Sequence, residues 1–89
     1  MTEGSFEIVN MKGLHARASA KFVEAVEEFD ADATVSKDGM DVDGDSIMGL
    51  LMLAASIGTK ITVVTRGAQA DELLAALGDL IADKFGEGI

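Results

Sequence analysis

Apolar positions along this chain recur with two different periods, and the switches between them divide it into elements. Phe6 and Ile8 fall on one side of a short segment, Phe6 to Val9, with Glu7 on the other, as in a half-buried strand. Asn10-Met11-Lys12-Gly13-Leu14 follows neither period and predicts a loop. From Ala16 the spacing becomes helical: Ala18, Phe22, Ala25 and Phe29 form a stripe with Val26 beside it, while Glu24, Glu27 and Glu28 face out. Ala33 to Lys37 alternates again, and Asp38-Gly39 predicts a tight hairpin to Met40-Asp41-Val42-Asp43, because both turn residues need positive φ. Gly44-Asp45-Ser46 opens a helix predicted from Ile47 to about Ser56, with Gly58 ending it. A fourth strand covers Ile61 to Thr65. The last helix is predicted from about Ala68 to Lys84, with Leu73, Leu74, Leu77, Leu80 and Ile81 inward and Gly86 as its stop.

The predicted order is β-α-β-β-α-β-α. A tight hairpin between the middle strands makes the sheet at least partly antiparallel. Strands with one apolar face each suit a two-layer α+β domain, an open-faced sandwich with all helices on one side. The pattern leaves strand order open. At 89 residues the chain is expected to form a single domain, residues 1–89.

Composition narrows the chemistry. The chain has no cysteine, which removes thiol nucleophiles, disulfide frameworks and Cys-rich zinc sites. With one histidine there is no credible metal site, and no cofactor motif is evident. No apolar run is long enough to cross a membrane, and the polar, acidic start at Met1 to Ser5 is unlike a signal peptide, so the expected location is cytoplasmic. A net charge of −9 repels phosphate backbones and argues against nucleic acid as a partner. Lys12 and Arg17 nevertheless flank the histidine.

His15 stands just before a predicted helix. A lone histidine there is ordinarily a surface or capping residue. Three neighbours favour a further role. The first helical turn offers unpaired N–H groups and partial positive charge, a ready site for a phosphoryl group. Arg17 supplies a planar fork of donors for phosphate oxygens. Gly13 allows close backbone approach. A neutral imidazole nitrogen is a competent nucleophile at pH 7. No second polar partner for acid–base work is evident, so a carrier is expected rather than an enzyme.

Ser46 is a preferred N-cap for the short helix. On that helix Leu50, Leu53, Ala54 and Ile57 fall on one arc and predict the core face. Met48, Leu51 and Met52 fall opposite, with Ile47 at the edge. An amphipathic helix needs one apolar face, so the second predicts an exposed, adaptable patch for binding partners.

Gly13-Leu14-His15-Ala16-Arg17-Ala18-Ser19-Ala20 resembles the phosphohistidine signature of the HPr phosphocarrier family, written G-L-H-A-R-P-A. Ala18 departs from it, standing where most members carry proline, which leaves the turn less rigid without removing a donor. Ser46-Ile47-Met48-Gly49 resembles the stretch around the regulatory serine of members that are substrates of HPr kinase/phosphorylase. The resemblance runs over essentially the whole chain. It implies an antiparallel sheet of order 1-4-2-3 under three helices, and a phosphoryl group loaded on His15 Nδ1 by phosphorylated enzyme I and unloaded by an EIIA-type acceptor. It also implies docking through Ile47, Met48, Leu51 and Met52. Acidity and Ala18 incline the reading toward the nitrogen-type regulatory branch. A monomer suits such a shuttle. One alternative is an acyl carrier protein, whose Asp-Ser attachment site Asp45-Ser46 resembles; those proteins are helical bundles, which the predicted strands oppose. Another is a regulatory module of the same fold that binds its partner without being phosphorylated.

Overall fold

The computed structural model describes residues 1–89. Four strands, β1 (Thr2–Glu7), β2 (Asp32–Lys37), β3 (Met40–Asp43) and β4 (Lys60–Arg66), alternate with three helices, α1 (Ala16–Glu27), α2 (Ile47–Met52) and α3 (Ala70–Ala82). A 3-10 turn at Lys84–Gly86 follows α3. The strands form one antiparallel sheet of order β1-β4-β2-β3. The expected α+β architecture and strand order are therefore those observed.

The sheet's two faces differ because side chains alternate along each strand. Ala33 and Val35 of β2 and Ile61, Val63 and Thr65 of β4 are buried beneath the helices. Val35 lies opposite Val63 in the β2–β4 register. Phe22 and Val26 of α1, Leu50 of α2, and Leu73, Leu77 and Ile81 of α3 close the same core. Gly78 in mid-α3 is costly by helix propensity, by about 1 kcal/mol relative to alanine. A Cβ there would lie 2.8 Å from Phe6 Cε1, so the missing side chain lets α3 settle on the Phe6 ring of β1.

Three elements depart by more than one residue from the bounds expected from sequence. Strand β1 begins at Thr2 and ends at Glu7, not Val9. Polar residues dominate its start, but Thr2 to Glu7 pair with Thr65 to Lys60 along the whole strand, so tertiary pairing overrides propensity. Helix α2 stops at Met52, well short of Ser56, because Ala54 turns left-handed at φ 50°. That turn buries Ala55 and swings Ala54 and Ile57 outward, so only Leu50 and Leu53 of the expected core face are buried. Gly58 consequently lies in the turn before β4, not at the end of α2. Finally, α3 covers Ala70–Ala82, and the chain then reverses through positive φ at Lys84 and Phe85. Phe85 is fully buried, an anchor the helical stripe did not include.

Candidate functional site

The loop before α1 is fixed from beneath. Gly13 has φ 65°, and a Cβ on it would meet the Ala55 carbonyl oxygen at 2.3 Å and Ser56 Cα at 2.9 Å. The next residue, Leu14, donates its N–H to the same carbonyl at 2.9 Å. Gly13 thus lets the loop press against the backbone at Ala55 and Ser56; the close approach expected there is to protein. Leu14 is buried beside it, which leaves His15 at the lip, with its side chain 27% exposed.

His15 is the N-cap of α1, in extended conformation, with Nδ1 accepting the Arg17 N–H at 3.3 Å. The capping role and a chemical role coexist, because the capping atom is an imidazole lone pair. Its carbonyl accepts the Ser19 N–H at 2.8 Å. The first-turn N–H groups of Ala16 and Ala18 have no such partner. The Arg17 side chain is exposed and forms no ion pair.

No polar partner for His15 is evident in the sequence; the structure supplies Glu87. His15 Nε2 meets Glu87 Oε2. The other carboxylate oxygen, Oε1, accepts from Asn10 Nδ2 at 2.9 Å, and the same amide donates to the Gly13 carbonyl at 2.9 Å. Both acceptors are oxygens, so the Asn10 NH₂ must face them. Its Oδ1 is buried without a partner. The Glu87 carboxyl is held below its ordinary 4.5, chiefly by the Asn10 hydrogen bond and against the opposing effect of burial, with His15 and Lys12 adding to the lowering. An ionised carboxylate only accepts, so Nε2 is the donor. Nδ1, accepting from Arg17, is the unprotonated nitrogen. Two independent bonds therefore select one neutral tautomer, protonated on Nε2.

Nothing in the local pattern around Glu87 sets it apart from fifteen other acidic residues; the only hint is its place between Gly86 and Gly88, just past a helix stop. A recess of about 230 Å³ opens here, lined by Lys12, His15, Arg17, Lys21 and Glu87 with the backbone of the tail. A larger recess of about 690 Å³ between α1 and α3, where Glu24, Glu28, Asp79 and Asp83 alternate with Lys21 and apolar side chains, does not include His15.

The second site lies on α2. Ser46 is its N-cap, with Oγ accepting the Gly49 N–H at 3.0 Å. Ile47, Met48, Leu51 and Met52 are exposed, Met48 by 70%, and Ile57 adds to the same kind of surface. No group of three or more histidine, cysteine or carboxylate side chains is arranged to hold a metal ion, and no helix is long and apolar enough to cross a membrane.

A histidine ring nitrogen at a helix start above this sheet, beside Arg17 and Lys12, is an arrangement that can accept a phosphoryl group, as in a phosphocarrier. Residues 2–83 match the family model described as "PTS HPr component phosphorylation site". The chain is 50% identical over 88 residues to phosphocarrier protein HPr of Neisseria meningitidis serogroup A, covering 99% of each. It is 39% identical over 85 residues to phosphocarrier protein NPr of Shewanella violacea, covering 96% of this chain and 93% of that one. Its fold superposes on HPr-C-His from Thermoanaerobacter tengcongensis with a TM-score of 0.95, at 40% identity over the whole of both chains. The chain belongs to the HPr family of phosphocarrier proteins of the phosphotransferase system.

Proposed function

We propose that this protein accepts a phosphoryl group on His15 from phosphorylated enzyme I and passes it to an EIIA-type acceptor, working in the cytoplasm as a monomer. The observation that carries this reading is the placement of His15 Nδ1 at the N-terminus of α1, where it accepts the Arg17 N–H. As phosphorus approaches, the Arg17 N–H is released from Nδ1 and, with those of Ala16 and Ala18, turns to the phosphoryl oxygens. Those groups and the helix's partial positive charge stabilise the transferred dianion. The Arg17 guanidinium, free of any carboxylate, closes on the outer oxygens as a fork. Lys12 adds charge from the loop side.

Docking uses the exposed Ile47, Met48, Leu51 and Met52, whose flexible side chains adapt to successive partners. Phosphorylation of Ser46 by an HPr kinase/phosphorylase would place roughly two negative charges at the N-terminus of α2, tolerable for the fold but obstructive to an acidic partner docking on that patch. The fold also opposes the acyl-carrier alternative, since those proteins lack a sheet.

Intact mass after incubation with phosphoenolpyruvate and enzyme I tests the reading. Wild type is expected to gain one acid-labile phosphate that His15→Ala does not take up. A folded wild type that gains none, beside a charged enzyme I, would leave the fold without the relay.

A further inference from the structure

The C-terminal segment is built as a clamp. Phe85 is fully buried, and its carbonyl accepts Lys21 Nζ at 2.6 Å. The Glu87 N–H returns to the Lys84 carbonyl at 3.0 Å, and the Ile89 carbonyl accepts the Met11 N–H at 3.1 Å. These ties fix the residues on both sides of Glu87, and Asn10 holds one of its carboxylate oxygens. The Glu87 side chain is only 10% exposed, so it meets the imidazole away from bulk solvent. Such an arrangement exceeds what a surface ion pair needs.

We propose that Glu87 is a positioning residue for phosphoryl transfer, holding the His15 proton on Nε2 and stabilising the imidazolium that forms when Nδ1 is phosphorylated. The inference rests on the carrier reading and deepens it. In the transfer step the Nδ1 lone pair forms a bond to phosphorus while phosphorus loses its bond to the donor atom, which keeps the bonding pair. Nε2 retains its proton, so the ring becomes cationic directly against the Glu87 carboxylate. A carboxylate on the far nitrogen of a working histidine orients the ring and stabilises its cation without taking the proton. The same contact serves the return step. A ring still protonated on Nε2 leaves phosphorus as neutral imidazole, a better leaving group than imidazolate. Glu87 thus assists both loading and unloading.

The test uses the full-length ¹⁵N-labelled protein as wild type, Glu87→Ala and Glu87→Gln. Imidazole ¹⁵N–¹H spectra at alkaline pH read the tautomer, and rapid-quench transfer from phosphorylated enzyme I reads the rate. Wild type is expected to show the Nε2–H form alone. Glu87→Ala should show a mixture of tautomers and transfer slowed about tenfold, with its dependence on protein concentration little changed. Glu87→Gln offers one acceptor oxygen to two donors, Asn10 Nδ2 and His15 Nε2, so it should hold the tautomer less firmly than wild type but better than Glu87→Ala, and slow transfer severalfold for want of charge. A tautomer unmoved by Glu87→Ala, or wild-type rates in both variants, overturns the inference; a purely structural Glu87 would lower the melting temperature and leave the tautomer alone. A wild type that takes no phosphate on His15 sinks the carrier reading and the rate half of this inference with it, while the spectra still decide whether Glu87 sets the proton.

Discussion

Two helices in this small protein begin with a side-chain cap, and the caps are built for different ends. Ser46 closes α2 with a hydroxyl at 3.0 Å from the Gly49 N–H, the ordinary bond of a structural N-cap. His15 closes α1 with a ring nitrogen at 3.3 Å from the Arg17 N–H, a longer bond that a phosphoryl group can displace. Around Ser46 the flanking charges are Asp43 and Asp45, and the next residues are exposed and apolar. Around His15 stand Lys12, Arg17 and Lys21, with one carboxylate locked onto the far side of the ring. A cap becomes chemical when its lone pair is loosely committed and its surroundings favour an arriving anion. It stays structural when neither holds.

The largest break in this comparison is expected from the loop under His15. Gly13→Ala combines a left-handed φ with a 2.3 Å approach to the Ala55 carbonyl oxygen, and should cost about 3 kcal/mol, roughly 15 °C in Tm by thermal melting. A small loss would mean that the loop is not pinned from below. Next, Met48→Asp should weaken binding to enzyme I about tenfold, ~1.4 kcal/mol by titration calorimetry, with the melting temperature unchanged. Unaltered affinity would remove the patch from the docking surface. Ser46→Ala, which removes the cap together with the proposed regulatory hydroxyl, should cost about 1 kcal/mol in urea unfolding and leave transfer to His15 intact. Ala18→Pro should raise stability by about 0.5 kcal/mol, because position 18 lies in the first turn, where the N–H has no backbone acceptor.

The smallest effect is in acid. The folded-state pKa of Glu87 lies below its ordinary 4.5, so its stabilisation is present above that value and is lost as pH falls through the folded pKa. Glu87→Gln should lower the melting temperature slightly above about pH 4.5 and lose less of it in acid, so that the two profiles converge as pH falls. An identical acid limb in both proteins would show that the tail contact is not linked to folding.

Much of the fold was legible because each strand and helix announces its period, and the Asp38-Gly39 turn fixes the hairpin. His15, Arg17 and Ser46 were legible because their placement follows from local spacing. The errors have one physical source. The end of α2 and the tail after α3 are set by left-handed residues, Ala54, Lys84 and Phe85, none of them glycine. Their cost is offset by tertiary contacts, the burial of Ala55 and Phe85 among them, which no local pattern encodes. Glu87 was illegible for the same reason: its meaning depends on a contact with a residue 72 positions away.

The central claim is that enzyme I delivers phosphorus to Nδ1 of His15 and to no other atom of the chain. The most direct measurement is the one-bond ³¹P–¹⁵N coupling in ¹⁵N-histidine-labelled protein after incubation with phosphoenolpyruvate and enzyme I. The account predicts one coupled nitrogen, Nδ1, with a proton still on Nε2. Phosphorus coupled to Nε2, or an uncoupled signal from a phosphorylated hydroxyl, would contradict it.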